Sequence, residues 1–589
     1  MNQYEKINIH SVFSGYFPVP EIKNIAYLVS QKLEEGNICL DIGDYNKNEA
    51  EKINIDTLSR SPWITTAPHK EVKPFVLLNN KLYLHRYFYY ETVILNTIKS
   101  LISNSDEDKT LRKQELLSAK PLISNLFHSY NQQTNWQLIS ALLAYVNDFF
   151  IITGGPGTGK TTIITKLLAI IFELNPEFSV AIAAPTGKAT ARLNESISNL
   201  ISNLPGIKND TKEILLDIKA QTVHRLLGYG FNTPYFKHNK ENPLQYDLVI
   251  VDESSMIDVA LMAKLMEAIR KDTKLILLGD KNQLASVEAG SIFGDLCKTQ
   301  KQSNTVFDTD IDFLKNFNIN IENNAFYSNI LTGKIIELQH SYRFDITEGI
   351  GKFSNLVISG NSSEDKLITP FLNCKNQSQC VEITADYQDD RFYKMIKLYE
   401  DYARENDIEK AFEKLKKIII LCAVREGQFG MKHYNSTIED YLKSKALISP
   451  SGNFYDKQVV MVTSNDYNLG VFNGDIGIIR VDKNTDKKII YFKNSDGSLK
   501  SFPATNINSF ETAYAMTIHK SQGSEYDNVI IVIPDDENHR LLSRELLYTA
   551  VTRAKQNVLI LGKSNIIKET VKNRINRISG INERIINQN

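Results

Sequence analysis

This 589-residue sequence lacks an excess of either charge: 68 Lys and Arg stand against 69 Asp and Glu, a formal net charge of −1. A protein that coats nucleic acid with its whole surface is basic overall, so any polymer site here has to be a local groove. Long apolar runs are missing too. None reaches the roughly 20 residues of a membrane helix. The N-terminus, MNQYEKINIHSVF, carries neither a signal-peptide core nor a stop-transfer pattern. Cysteine is scarce. Cys39, Cys297, Cys374, Cys380 and Cys422 are scattered, and the Cys374/Cys380 spacing has no second pair to complete a zinc site. That usage predicts a reduced, cytoplasmic protein without a disulfide frame or a metal centre of its own. No internal repeat and no long low-complexity tract is present.

What is there is a succession of short apolar runs. FFIIT (149–153), VAIAAPT (180–186), LVIVDE (248–253) and LILLGD (275–280) form one set; IIILCA (418–423), NVIIVI (528–533) and NVLILG (557–562) form another. Continuous apolar strands alternating with helices predict parallel sheets covered on both faces, hence two α/β domains. The Asn-rich stretch 301–326 reads as a linker or surface excursion. Residues 456–510, with short strands and NGD and SDGS turns, predict a small β-barrel or meander inserted in the second domain. Residues 1–115 have no glycine-rich loop and read as a mostly helical, partly aromatic domain.

Chemistry concentrates first in GGPGTGKTT (154–162). Gly154, Gly155, Pro156, Gly157, Thr158 and Gly159 form a loop whose amides can wrap phosphate oxygens, and the helix that follows adds its positive end. Lys160 suits the β- and γ-phosphates, Thr161 suits Mg²⁺, and Thr162 closes the loop; the cofactors expected are ATP and Mg²⁺. Asp252 and Glu253 end an apolar strand, the first to hold the metal shell and the second to orient and deprotonate a water. Gln283, in GDKNQLASVEAG, is placed to touch both γ-phosphate and water; an ordinary surface loop is the alternative.

These segments, with APTGKATARL, TVHRLLG, SYRF, MTIHKSQGSEYDNV and YTAVTRAK, occur in the order of superfamily one DNA helicases. The chain resembles the RecD branch, the alpha subunit of the bacterial RecBCD enzyme (exodeoxyribonuclease V), from about 130 to 560. LCAVREGQFGMKHYN (421–435) and NDYNLGVFNGDIG (465–477) share in it. The resemblance implies two RecA-like P-loop domains with an SH3-like barrel inserted in the second. It implies Arg343 and Arg553 as arginine fingers reaching the nucleotide from the second domain, and Gln137, beside Trp136, on the adenine edge. For single-stranded DNA it implies contacts from Thr186, Lys188, His224, Arg225, Asn473, Thr517, His519, Lys520 and Ser521, made largely to the phosphate backbone. Thr186 also reads as a helix cap, beside a strand expected next to the P-loop strand. The aromatic excursion 229–245 resembles a duplex-splitting hairpin, with Phe231, Tyr235 and Phe236 available to stack on bases.

The boundaries read from these signals are 1–115 for a partner-docking domain and 116–330 for the first motor domain. The second motor domain takes 331–455 and 511–589, with 456–510 inserted. The resemblance implies 5′–3′ translocation on single-stranded DNA, action on duplex ends in double-strand break repair and recombination, and a heterotrimer with RecB-like and RecC-like subunits, cytoplasmic and nucleoid-associated. PFVLLNNKLYLHRYFYYETVI (74–94) offers an aromatic docking patch or an internal core. The chain is expected to be too short for the extension of the long stand-alone form, and no paired Asp/Glu–Lys nuclease signature is found. A stand-alone repair helicase, and a P-loop switch without translocation, stay open at this point.

Overall fold

The computed structural model describes residues 8–586, apart from 104–105, 128–133, 231–232, 234, 301, 323–328, 374–378, 467, 483–484, 495–496 and 537–539. Phe231 and Cys374 therefore lie outside the described residues. Among the described residues twenty strands form four sheets. The first is small and was not anticipated: β1 (Cys39–Asp41), β2 (Ile64–Thr65), β3 (Phe75–Leu78) and β4 (Lys81–Leu84), in the order β1-β4-β3-β2. Its hairpin turns on Asn79 and Asn80, both at positive φ (50° and 60°), as a two-residue primed turn requires. Helices still dominate this region, and the longest, His85–Ile102, lies against the helix Val259–Ala268 of the next unit.

The aromatic stretch 74–94 is spent there. Phe75, Tyr83, Phe88 and Tyr90 are buried, while Tyr89 faces outward and donates to Glu267 at 2.7 Å. As a docking patch the stretch is corrected: alternating positions of the hairpin and one helix face turn its rings inward.

The second sheet holds β5 (Phe149–Gly154), β6 (Val180–Ala184), β7 (Gln221–Thr222), β8 (Leu248–Val251), β9 (Lys274–Gly279) and β10 (Ile335–Leu338). All pairings are parallel, in the order β10-β5-β9-β8-β6-β7. Two expectations change. β6 neighbours β8 and β7, not the P-loop strand β5, because later strands insert between them. And β10 pairs with β5, so this sheet runs past residue 330, the expected end of the first unit.

The third sheet, β11 (Cys380–Thr384), β12 (Ile418–Cys422), β18 (Ala515–Thr517), β19 (Tyr526–Val532) and β20 (Ala554–Leu561), is also wholly parallel, in the order β11-β20-β19-β12-β18. Between its strands in sequence lie β13 (Val459–Val462), β14 (Ile476–Val481), β15 (Lys488–Lys493), β16 (Leu499–Pro503) and β17 (Phe510–Thr512). They form an antiparallel sheet, β16-β15-β14-β13-β17, over the small core of Val460, Ile479 and Ile490. The architecture is thus two P-loop-type α/β units, an inserted β-unit and a helical N-terminal region.

The C-terminal segment leaves the third sheet and returns to the N-terminal region. Ile578 donates its amide to Asn37, Gly580 donates to Glu91 at 2.9 Å, and Arg584 pairs with Glu91 at 3.3 Å. These residues, expected to belong wholly to the second motor unit, are thus shared with the N-terminal region. Cys39, Cys297 and Cys422 are free and buried; Cys380 is disulfide-bonded, a departure from the all-thiol expectation. No helix among the described residues is long and apolar enough to cross a membrane.

Candidate nucleotide and DNA sites

β5 is apolar along its whole length, because both faces of a parallel sheet are covered, and it delivers the chain into the glycine loop at the sheet's carboxyl edge. Gly157 and Gly159 have φ of 77° and 86°, and Gly159 caps the helix Lys160–Leu174. A Cβ on Gly157 would run into Arg343, and one on Gly159 into the Gln137 amide. Glycine is therefore needed twice over, for backbone conformation and for close approach. Lys160 donates to the carbonyls of Gly154 (2.6 Å) and Gly155 (3.2 Å). Thr158 donates to Gly155, and Gln137 donates to the Thr158 carbonyl at 2.9 Å.

β8 ends at Val251 and hands over to Asp252 and Glu253. Glu253 is held at φ 51°, in the left-handed region, with its amide on the Asp252 carboxylate at 2.8 Å. A strained non-glycine residue of this kind persists where surrounding contacts over-determine it. Loss of water, then the charge of Glu253, pushes the Asp252 carboxyl up to about 6, against the pull of Lys160 and the Glu253 amide. β9 ends at Gly279 and leads to Asp280, which accepts from buried Gln283 at 3.1 Å.

One cavity of about 1600 Å³ gathers these groups. Its lining includes Gln137, Pro156, Gly157, Thr158, Gly159, Lys160, Thr161, Thr162, Asp252, Glu253, Gln283, Arg343 and Arg553. Gly154 and Gly155 are not in its lining; they enter through the carbonyls that accept from Lys160. Arg553 is 2% exposed and holds the Thr549 and Ser524 carbonyls. Arg343 reaches the cavity by a shorter route than expected. It follows β10 directly, and Tyr342 donates its amide to the Gly157 carbonyl at 2.8 Å, with the Ser341 hydroxyl on Pro156. It therefore comes from the chain leaving the first motor sheet, not from within the second. The Arg343 Nη1 is buried with no hydrogen-bond partner among the described residues.

Sequence reasoning missed two charged groups here. Glu525 pairs with Arg192, with Arg343 at 2.5 Å and with Lys555 at 3.8 Å. Both lie inside stretches already singled out, MTIHKSQGSEYDNV and APTGKATARL. Their separation of 333 positions conceals the pairing.

Among the described residues no three His, Cys, Asp or Glu side chains cluster as a ready metal site. Thr161 and Asp252 alone would leave most of a Mg²⁺ shell to phosphate and water, which is how that cation is usually held. The glycine cradle, Lys160 and the orphaned Arg343 nitrogen fit a magnesium–triphosphate.

The predicted DNA residues lie outside this cavity. Thr186 caps the helix Gly187–Ile201, accepting from Ala189 at 3.2 Å, and the Lys188 Nζ is buried with no hydrogen-bond partner among the described residues. The Phe472 ring, from the inserted unit, lies against Gly187 and under the Arg225 guanidinium, 4.7 Å from the ring centre. Asn473 accepts from Lys520 at 2.5 Å. Phe472 and Asn473 thus join Gly187 and Arg225 on one side to Lys520 on the other. His224 stands apart, edge-on to Tyr229 and Phe236. Tyr229 and Phe236 form a single antiparallel bridge; Tyr235 is 78% exposed, but Phe236 rests on the core and is not free to stack. Thr517 ends β18 and His519 follows in a short 3₁₀ turn. Ser521 is fully buried, its hydroxyl spent on the Ile518 carbonyl, and is withdrawn as a side-chain contact.

The AAA domain family matches residues 137–289 and the UvrD-like helicase C-terminal domain matches 512–561, two stretches that supply much of the cavity lining. A RecBCD enzyme subunit RecD of Haemophilus influenzae is 31% identical over 548 residues, 88% of this chain and 82% of that protein. A RecBCD enzyme subunit RecD of Mycolicibacterium smegmatis is 29% identical, over 96% of this chain and 94% of its own. The ATP-dependent RecD2 DNA helicase of Deinococcus radiodurans is 29% identical over 70% of this chain but 47% of its own length. With a glycine-loop cavity, two parallel sheets and near full-length similarity in place, the chain belongs to the family of RecD subunits of the RecBCD enzyme.

Proposed function

We propose that this chain is the ATP- and Mg²⁺-dependent 5′–3′ single-stranded DNA translocase of a RecBCD-type helicase–nuclease, working with RecB-like and RecC-like subunits at duplex ends. One observation carries the reading. Groups from both parallel sheets and from the segment joining them, Lys160, Glu253, Gln283, Arg343 and Arg553, converge on one cavity. In this reading Lys160 and the loop amides hold the β- and γ-phosphates, and Thr161 and Asp252 hold the metal. Glu253 takes the proton of the attacking water, Gln283 orients that water, and the guanidiniums of Arg343 and Arg553 neutralise developing charge. Magnesium, when bound, supplies further neutralisation of the phosphates. Because Arg553 belongs to the second unit, across the cleft from Lys160, while Arg343 reaches in from the segment joining the two, binding favours closure and hydrolysis relaxes it.

We assign the strand to the path bounded by Thr186, Lys188, Arg225, Asn473, Thr517, His519 and Lys520, with the inserted sheet as an SH3-like cover. The first motor unit is taken to end after β10, and the N-terminal region to dock on a partner. A cytoplasmic, nucleoid-associated site of action accords with this reading.

The test is ATP hydrolysis by the full chain with and without single-stranded DNA. Hydrolysis should rise on adding DNA, and Lys160→Ala should abolish it with an unchanged circular dichroism spectrum. DNA affinity should fall with salt at a log–log slope of roughly −0.7 per phosphate contacted. Hydrolysis indifferent to DNA, or turnover surviving Lys160→Ala, overturns the reading.

A further inference from the structure

Resting on that assignment of the triphosphate site, we propose that Glu525 is a positioning residue: a carboxylate that occupies the arginines of the cleft and must be displaced by the γ-phosphate. The observations come from both sides of the seam. Arg192 stands on the helix Gly187–Ile201, over the first motor sheet; Glu525 stands just before β19 in the second. Their ion pair crosses between the units. The same carboxylate takes the Arg343 Nη2 at 2.5 Å, leaving the Arg343 Nη1 buried and unpartnered. The Glu525 side chain is only 11% exposed. Burial pushes its carboxyl up, yet Arg192, Arg343 and Arg553 outweigh burial and hold it below the ordinary carboxylate value. It is therefore an anion among guanidiniums, lining the same cavity as Lys160.

A carboxylate and a phosphate compete for the planar guanidinium fork with the same geometry. A triphosphate carries its terminal charge into the region these arginines command; a diphosphate does not. Glu525 thus lowers affinity selectively for the triphosphate. It also supplies the partner to which the arginines return when the terminal phosphate leaves. Without it, like-charged guanidiniums would face one another unscreened in a low-dielectric cleft.

The experiment measures binding of ADP and of a non-hydrolysable ATP analogue, by competition with a fluorescent nucleotide, to the full chain and to Glu525→Gln. Wild type should bind both. Glu525→Gln should bind the triphosphate analogue about tenfold more tightly, with ADP affinity changed less than about twofold. Thermal melting establishes that the variant is folded; where it is not, Glu525→Asp, which retracts the charge by one methylene, replaces it with a smaller shift in the same direction. An unchanged triphosphate-to-diphosphate ratio, or weaker triphosphate binding, overturns the proposal and leaves the site standing. Failure of the wild type to bind either nucleotide overturns the site itself, and the proposal with it.

Discussion

Tyr548 donates its hydroxyl to the Asp280 carboxylate at 2.9 Å, and both groups are buried. The tyrosine lies on the helix Arg544–Val551 of the second motor unit and the aspartate at the end of β9 in the first. Beside them the Leu284 amide donates to Thr549, and Gln522 donates to the Leu284 carbonyl, each at 3.0 Å. The loop carrying Gln283 is therefore bonded across the seam at consecutive points. Tyr548→Phe removes one bond to a buried charge and should cost about 2 kcal/mol of stability, read as a lowered melting midpoint. Stimulation of ATP hydrolysis by single-stranded DNA should fall about fivefold, since ~1 kcal/mol of coupling is lost.

Asp252 predicts a pH dependence. Its carboxyl is pushed up to about 6, and in the role proposed for it the group must be ionised to hold a cation. Protonation thus competes with Mg²⁺, and metal-dependent binding weakens as pH falls. Binding of a non-hydrolysable triphosphate in the presence of Mg²⁺ should be about tenfold weaker at pH 5 than at pH 7. Without Mg²⁺, or in Asp252→Asn, the profile should be nearly flat over that range.

The buried pair Glu91–Arg584 predicts the opposite slope for stability. Burial pushes the Glu91 carboxyl up to about 7, with the Gly580 amide and Arg584 pulling it down. The folded state therefore holds this proton more tightly than the unfolded chain, whose value is about 4.3. The stability it lends is complete below that value and is lost as pH rises through about 7. Arg584→Ala removes one downward pull and leaves the carboxylate buried without its cation. Melting should show a deficit of about 3 kcal/mol at pH 8, shrinking below about 1 kcal/mol at pH 5.

Phe472 touches the proposed DNA path without charge. Phe472→Ala should weaken single-stranded DNA binding about fivefold, through lost stacking and lost support for Arg225, with the salt slope unchanged. Arg225→Ala should instead flatten that slope by roughly 0.7. Fluorescence anisotropy at several salt concentrations separates the two.

The nucleotide loop and the alternating strands were legible because each is a local pattern: glycines before Lys160, acids after an apolar strand. What crossed the sequence was not. The β6 position fails because strand order in a parallel sheet is set by crossovers, not by adjacency in the chain. The origin of Arg343 was misjudged because β10 follows an Asn-rich stretch that hid its return to β5. The N-terminal sheet was missed because β1 and β2 span only 3 and 2 residues, too short to show a period. Ser521 looked available because nothing in HKSQG distinguishes a hydroxyl turned to solvent from one turned to Ile518.

The return of the C-terminal segment bounds the motor's travel. Arg577 donates to the carbonyls of Glu288 and Gly290, at 2.9 Å each, just beyond the Gln283 loop, while Ile578 and Gly580 are fastened to the N-terminal region. The second unit is thereby leashed at two places, by the link after β10 and by this tail. A body moored fore and aft can pivot but cannot drift away, so relative motion of the two units is confined to a swing about those moorings, and a force applied to the N-terminal region is carried by this tail to the stretch just beyond the Gln283 loop without crossing the cleft.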